Sequence, residues 1–261
     1  SLELAEETRV PGDVLAAART HLDGARSRNK ELTRELLRIL DGLDRAGIPA
    51  IPFKGPVMAE TYYGDPGLRH YRDLDFLVAG DAAVKTVAAL RGLGYAGTGQ
   101  VSSKDKNFAL TARQDAALWR YAGEYIFFHP ETSIAIEPHW AFIPPTYGLD
   151  LDYAGFWARA QRGVLSGRAI LTLSPEDTVM SLALHGSKEY WARLQWIADF
   201  DRAVKQERDL DWDGLIDNCR RCGALRPLLV GLQIIHAVFG TDLDPCANDA
   251  IDNDRVARAL A

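Results

Sequence analysis

The sequence predicts an α+β fold in which a small mixed or antiparallel sheet with flanking helices precedes a mostly helical C-terminal domain. Two observations predict it. Strand-like runs alternate with helical periodicity over residues 48–145, and helical periodicity dominates residues 146–261. Residues 1–47 read as a helical segment that packs on the sheet. The length of 261 residues suits one large domain or two small ones, so we divide the chain at these boundaries.

The first strand and its flanking helices follow from apolar spacing and turn residues. Residues 13–47 place leucines at helical intervals among charged side chains, and Gly47 suits a helix end. Residues 50–53 form a short apolar run that predicts a buried strand. Lys54, Gly55 and Pro56 end this strand and begin a helix that runs to about residue 63, because proline is favoured in a first helical turn.

A second strand is predicted over residues 73–78, where acidic and apolar residues alternate before the run becomes wholly apolar. A helix over residues 81–92 follows. Three further stretches, around residues 107–111, 124–129 and 133–140, are rich in aromatic and β-branched residues. We predict that they form an antiparallel meander.

The helical half begins after a linker at residues 144–148, which is rich in proline and glycine. A hairpin is predicted near residues 163–173. Ser174 followed by Pro175 and Asp177 is a strong helix start, because a serine N-cap and an early proline both suit the unpaired first amides. Helices are predicted over residues 175–190, 191–206, 211–222 and 225–240, and an irregular acidic tail after them.

Composition restricts the function classes. The net charge is −6, which argues against an extensive nucleic-acid surface, since such a surface is basic. Apolar runs are too short to span a membrane, and the N-terminus carries no secretory signal. The chain has three cysteines, and a disulfide scaffold needs a larger and even number. This sparse cysteine content indicates a protein of the reducing cytoplasm. Cys219 and Cys222 have metal-ligand spacing but no second pair, so we interpret them as two cysteines on a helix face.

Two acidic side chains on one strand face are the most informative feature. Asp73 and Asp75 are two residues apart on a predicted strand and therefore project from the same face. Neighbouring carboxylates repel each other unless a cation lies between them, and Mg²⁺ prefers such oxygen ligands together with substrate phosphates. Glu137 is a single acid inside a later apolar run, where a lone carboxylate is costly to bury. Asp73, Asp75 and Glu137 are therefore predicted to hold one or two Mg²⁺ ions, or Mn²⁺, although Glu124 and Glu131 remain alternatives for the third acid.

Cationic and imidazole side chains near these acids complete the predicted site. Lys54 and the amide of Gly55 lie where a strand meets a helix start, a position that favours phosphate. His185 and Lys188 share a face of the helix that begins at Pro175. The other predicted phosphate-binding residues are Arg69 and Arg72, and the predicted supporting residues are His139, Arg193 and Asp199. Arg193 and Asp199 could alternatively form a structural ion pair within the helical half.

These motifs resemble the nucleotidyltransferase superfamily with a polymerase-β-type core, and in particular its bacterial stand-alone branch. The resemblance rests on the lysine–glycine helix start, the turn at residues 63–69, the run at residues 72–78 and the helical region at residues 173–199. It implies a Mg²⁺-dependent enzyme that moves a nucleotidyl group from an NTP such as ATP to a hydroxyl group. Compatible acceptors are a peptide, a protein side chain, a small molecule or an RNA end.

Two departures from the superfamily pattern keep other functions open. The turn at Lys54-Gly55-Pro56 lacks the serine or second glycine that usually grips the triphosphate, and Pro138 follows the third acid. A transferase of phosphoryl or sugar-phosphate groups on the same metal site is one alternative. A non-catalytic nucleotide-binding regulatory module is the other.

Overall fold

The computed structural model describes residues 10–97 and 111–259. The longer helices are α1 (Gly12–Arg45), α2 (Gly55–Met58, continued by a π-helical turn over Ala59–Tyr63), α3 (Ala83–Gly92), α4 (Ala112–Tyr121), α5 (Tyr153–Arg159), α6 (Pro175–Lys188), α7 (Leu194–Gln206), α8 (Trp212–Cys222), α9 (Leu225–Phe239), α10 (Pro245–Asn253) and α11 (Arg255–Ala259). The strands are β1 (Ala50–Pro52), β2 (Asp73–Val78), β3 (Ala96–Gly97), β4 (Phe127–Phe128), β5 (Ala135–His139), β6 (Gln161–Leu165) and β7 (Arg168–Thr172). The predicted α+β class, with a small mixed sheet before a mostly helical half, is confirmed.

One five-stranded sheet organises the first half, with the strand order β1-β2-β5-β4-β3. Strand β2 pairs antiparallel with β1 and parallel with β5, whereas β4 pairs antiparallel with both β5 and β3. The remaining strands, β6 and β7, form a separate antiparallel hairpin. The sheet is therefore mixed, and its parallel pair occupies the centre.

Alternation along β2 assigns its two faces to different surroundings. Leu74, Phe76 and Val78 are buried in a hydrophobic cluster with the core-facing leucines of α1. Asp73, Asp75 and Leu77 point to the opposite face, where Leu77 joins the cluster built mainly by α6, α8 and α9. The acidic pair therefore lies on the face that turns toward the helical half.

The helical half follows its predicted pattern closely. Ser174 accepts a hydrogen bond from the amide of Asp177, and Pro175 occupies the first turn of α6, as predicted. Cys219 and Cys222 are buried on one side of α8, in agreement with their interpretation as helix-face residues.

Three details differ from the sequence prediction. The stretch around residues 124–129 contributes only the two-residue β4, and β5 runs parallel to the acidic strand β2 instead of closing a simple meander. An unpredicted helix, α4, precedes β4, while residues 107–110 of the expected first meander strand lie outside the described residues. The tail after Gly240 is helical rather than irregular, because Asp244 caps α10 and Ile251 finds a buried position.

The division at residues 145–146 follows composition and stays a prediction as a boundary between domains. Among the described residues, no helix is both long enough and apolar enough to cross a bilayer.

Candidate active site

A cleft with a volume of about 580 Å³ lies between the acidic face of the sheet and helices α6 and α7. All of the predicted metal- and phosphate-binding residues line it, as do two of the predicted supporting residues, Arg193 and Asp199. The third, His139, is buried behind the cleft wall and contacts Asp75. The structure thus brings together residues that are more than a hundred positions apart in the chain.

Parallel pairing of β2 and β5 positions two of the acids. Asp75 lies directly opposite Glu137 in the register, and His139 follows two residues later on the same face. One donor atom each from Asp75, Glu137 and His139 lies within 4.8 Å of the others. Pro138 is accommodated because it faces the opposite side of β5 and its carbonyl accepts a hydrogen bond from the Tyr125 amide.

Asp75 is held in place by two cationic side chains. Its Oδ1 lies 3.0 Å from Lys54 Nζ and also 3.0 Å from His139 Nε2. Burial alone would favour protonation of Asp75, but Lys54 and His139 outweigh this effect and hold its pKa well below the usual range. Asp75 is therefore ionised at neutral pH. Within the described part of the chain, both of its hydrogen bonds use Oδ1, which leaves Oδ2 for another cation.

His139 bridges two carboxylates. Besides the contact to Asp75, its Nδ1 lies 3.1 Å from Glu124 Oε2. Burial disfavours the charged ring, but its interactions with the carboxylates of Asp75 and Glu124, which accept from the ring, raise the pKa of His139 to about 9. Burial alone would raise the pKa of Glu124. The contact with His139 outweighs burial and lowers this pKa to about 2. Lys188 Nζ, on α6, lies 3.8 Å from Glu124 and extends the charged chain toward the helical half.

Glu137 and Asp73 behave differently from Asp75. Burial and the charge of Asp75 raise the pKa of Glu137 to about 7. The same two causes raise the pKa of Asp73. Both acids are thus strained by a neighbouring negative charge, and a bound cation would relieve that strain.

Arg69 and Asp199 form a buried pair at the base of the cleft. The guanidinium donates to both carboxylate oxygens, with Nε–Oδ1 and Nη2–Oδ2 distances of 2.9 Å. Arg69 Nη1 also donates to the carbonyl of Gly55 at 3.3 Å, and the Tyr63 hydroxyl donates to Asp199 at 2.6 Å. The alternative ion pair between Arg193 and Asp199 does not form: Arg193 precedes α7 and stacks over the ring of Trp196, with its guanidinium carbon 5.1 Å from the centroid.

The helical wall contributes cations and one neutral imidazole. Burial and the charge of Lys54 lower the pKa of His185 to about 2, so this ring is neutral. The centroids of the His185 and Trp196 rings lie 5.1 Å apart in an edge-to-face arrangement. Arg72 and Arg193 are exposed at the cleft, and neither forms an ion pair with an acid of the described residues. Their positive charges are available to a ligand.

Sequence reasoning missed several residues that line the cleft, among them Trp196 and, except as an alternative third acid, Glu124. Glu124 lies just before β4 and was weighed only as an alternative third acid, because nothing in its local pattern reveals the contact to His139. Trp196 also lines the cleft, although it is not among the residues predicted for the site. Its position three residues after Arg193, at the start of a helix, is the only local signal that could have found it.

Comparison with solved structures supports the fold. The antibiotic-resistance factor ANT(2'')-Ia, studied in solution, aligns with a TM-score of 0.50 at 13% identity over 80% of this chain and 98% of that chain. The lincosamide antibiotic adenylyltransferase LnuA, in its lincomycin-bound crystal structure, aligns with a TM-score of 0.42 at 15% identity over 65% of this chain and 94% of that chain. No curated protein sequence matches the chain.

The family comparison covers nearly the whole chain. A family model described as "Uncharacterised nucleotidyltransferase" matches residues 2–240, a range that contains every residue of the cleft. The chain belongs to this nucleotidyltransferase family.

Proposed function

We propose that the protein is a Mg²⁺-dependent enzyme that transfers a nucleotidyl group from an NTP to a hydroxyl-bearing acceptor. The observation that carries the proposal is the direct pairing of Asp75 with Glu137 across the parallel strands, inside a cleft lined by uncommitted cations. Family membership supports nucleotidyl transfer as the reaction class.

The acidic cluster suits a hard divalent cation. Asp73, Asp75 and Glu137 supply the carboxylate oxygens that Mg²⁺ prefers, and the raised pKa values of Asp73 and Glu137 reflect negative charges in need of a counter-ion. His139 holds one oxygen of Asp75 and so orients this carboxylate, as an outer partner commonly does for a metal ligand. Bound Mg²⁺ would supply charge neutralisation of the triphosphate and acidify the acceptor hydroxyl.

The triphosphate is assigned to the cationic side chains of the cleft. Lys54 and the amide of Gly55 stand at the start of α2, and Lys188, Arg72 and Arg193 approach from other sides. Charge-assisted hydrogen bonds from such groups are about twice as strong as neutral ones. His185, as a neutral ring, can only contribute an ordinary hydrogen bond.

The proposed reaction is an in-line displacement at the α-phosphorus. The acceptor oxygen forms a bond to phosphorus, the bond to the bridging oxygen of pyrophosphate breaks, and the proton of the hydroxyl passes to a carboxylate. Glu137 suits that role because its carboxylate lines the cleft beside Asp75 and carries a second oxygen that can accept a proton. A carboxylate has two oxygens, so one can face the cation and the other can face the hydroxyl.

Arg69 is proposed as a positioning residue rather than a phosphate ligand. Its guanidinium is already bound to Asp199 and to the carbonyl of Gly55. It therefore fastens the turn at Gly55, which has a φ of +48°, to helix α7. The phosphate-binding amide keeps its direction as a result.

A thermal-shift panel tests the proposed function. ATP, GTP, CTP and UTP are each added with and without Mg²⁺ to the wild type, Asp75→Asn, Glu137→Gln and the control Glu131→Gln, whose side chain is exposed. We expect at least one nucleotide to raise the melting temperature only with Mg²⁺, and the shift to persist in Glu131→Gln alone among the variants. No response to any nucleotide, or a response indifferent to Mg²⁺ and to Asp75, would overturn the proposal.

A further inference from the structure

A second cavity of about 680 Å³ adjoins the cleft, and we call it the apolar basin. It lies between the N-terminal half of α1, the turn at Gly67 and Leu68, and the first turn of α7. His70 and Gln195 line both cavities. Gln195 Nε2 donates to the carbonyl of His70 at 2.7 Å, so this hydrogen-bonded pair lies at the boundary between the basin and the cleft.

The basin exposes leucines that nothing in the described chain covers. Leu68 is 54% exposed and Leu194 is 62% exposed, and both line the cavity. Leu68 ends a short 3-10 turn and Leu194 begins α7. Adjacent exposed apolar side chains next to a reactive cleft are typical of a ligand groove.

The basin holds one permanent charge, and it is positive. Arg28 carries this charge, two histidines (His21 and His70) also line the cavity, and no acid of the described residues lines it. Arg28 Nη2 lies 3.0 Å from His70 Nδ1, and Arg28 Nε has no hydrogen-bond partner among the described residues. The cleft, by contrast, is lined by carboxylates as well as by basic side chains. An anionic group of the acceptor therefore meets an unopposed positive charge in the basin, whereas in the cleft it would also meet carboxylates.

We propose that the apolar basin binds the body of the acceptor, and that this acceptor is an apolar molecule that carries an anionic group. The anionic group of this acceptor lies near Arg28, and its apolar part covers Leu68 and Leu194. Its hydroxyl group extends past His70 and Gln195 into the cleft. The acceptor role rests on the proposed nucleotidyl transfer.

A fluorescent probe tests the site without knowledge of the acceptor. The apolar anion 1-anilinonaphthalene-8-sulfonate is titrated against the wild type, and the apolar cation dansylcadaverine serves as the probe of opposite charge. The variants are Leu194→Asp and Arg28→Gln, with Val84→Asp as the matched control on α3, where the native side chain is 69% exposed. Aspartate at the first position of α7 suits a helix start, so Leu194→Asp is expected to fold.

We expect one saturable site for the anionic probe, weakened about tenfold by Leu194→Asp and about threefold by Arg28→Gln, and unchanged by Val84→Asp. The cationic probe is expected to bind more weakly. Equal binding of both probes, or indifference to Leu194→Asp, would overturn the basin as an anion-selective site.

Nucleotide binding separates this inference from the proposed function. The probe titration is repeated with a saturating Mg²⁺–nucleotide complex found by the thermal-shift panel. Simultaneous binding supports an acceptor site beside the donor site, whereas competitive displacement assigns the basin to the donor and overturns the inference. If no nucleotide binds the wild type, the proposed function and the acceptor role fall together, even where the probe site itself is present.

Discussion

Asp75 is buried beside a second acid and still carries its charge, because two cations share one of its oxygens. Lys54 and His139 both contact Oδ1 at 3.0 Å. The lysine thus occupies space next to a carboxylate that is proposed to face a metal ion. In the ligand-free protein Lys54 acts as the counter-ion, and the arrival of Mg²⁺ and phosphate would let it exchange Asp75 for phosphate oxygen.

Lys54→Gln should therefore change metal and nucleotide affinity in opposite directions. Removal of the ammonium leaves Asp75 with one cation fewer, so Mn²⁺ alone should bind about tenfold more tightly, while a Mg²⁺–nucleotide complex should bind about tenfold more weakly. Free Mn²⁺ is measured by electron paramagnetic resonance, with Lys85→Gln, an exposed site on α3, as the control. Weaker Mn²⁺ binding in Lys54→Gln would show that the lysine does not compete with the metal.

Glu137 should make stability depend on pH in the metal-free protein. The pKa of Glu137 rises from 4.5 to about 7 on folding, so the folded state binds the proton more tightly than the unfolded state. The free energy of unfolding therefore falls as the pH rises from about 4.5 to about 7. Glu137→Gln removes the repelled charge. We expect this variant to melt roughly 2–6 °C above the wild type near pH 8 and at a similar temperature near pH 5.

The measurement is a pair of calorimetric melts in the presence of a chelator. Glu131→Gln is the matched control, since its carboxyl is exposed in the same region of the chain. A variant that is less stable than the wild type near pH 8 would contradict the assigned repulsion between Glu137 and Asp75.

Sequence reasoning reaches residues whose chemistry conflicts with their local pattern. Asp73, Asp75 and Glu137 stand in apolar strand-like runs, and that conflict alone marks them as candidates for a functional site. Contacts between distant side chains leave no such mark. The Arg69–Asp199 pair spans 130 positions, and the local pattern suggested Arg193 instead.

At the scale of elements, the cleft depends on how a short turn is fastened to a helix. The turn at Lys54 and Gly55 follows β1 and begins α2, whereas Asp199 belongs to α7. Arg69 joins them through two hydrogen bonds to Asp199 and one to the Gly55 carbonyl. The side chain of Arg69 is only 5% exposed, and that of Asp199 is only 2% exposed, so water does not weaken the pair.

Removal of one member of the Arg69–Asp199 pair should lower the free energy of unfolding strongly. Replacement of both members together should lower it less. Arg69→Met or Asp199→Leu leaves a buried charge without its partner, which costs about 3–5 kcal/mol of unfolding free energy, whereas the double variant should lose less than either single variant. Urea unfolding measures all three. Arg220→Met, which breaks an exposed pair on α8, is the control and should have no measurable effect.

Element prediction succeeded where capping and periodicity agree and failed where tertiary contacts decide. The start of α6 was readable from Ser174 and Pro175, and the structure shows the predicted cap. The parallel direction of β5 was not readable, because strand direction depends on which neighbour a strand meets. The same limit applies to α10, whose burial against the preceding helices stabilises a tail that is acidic in composition.

At the scale of the whole molecule, both hydrophobic clusters draw residues from both halves of the chain. Ile51 and Leu77, from β1 and β2, are buried with the helices of the second half. Leu165 and Ile170, from the β6–β7 hairpin, are buried with α1 and the sheet. The acids and cations of the cleft therefore keep their relative positions, since neither half of the chain can move without disturbing a hydrophobic cluster.

The interlocked cores predict one cooperative unfolding transition for the intact chain. Urea unfolding followed by tryptophan fluorescence and by far-ultraviolet circular dichroism should give the same midpoint, because separate domains would unfold at separate midpoints. A chain truncated after residue 145 should fail to fold, since Ile51 and Leu77 lose the helices that bury them and Leu165 and Ile170 are lost from the other cluster. Two resolved transitions, or a truncated chain with a cooperative melt, would instead make the compositional boundary at residue 145 a true domain boundary.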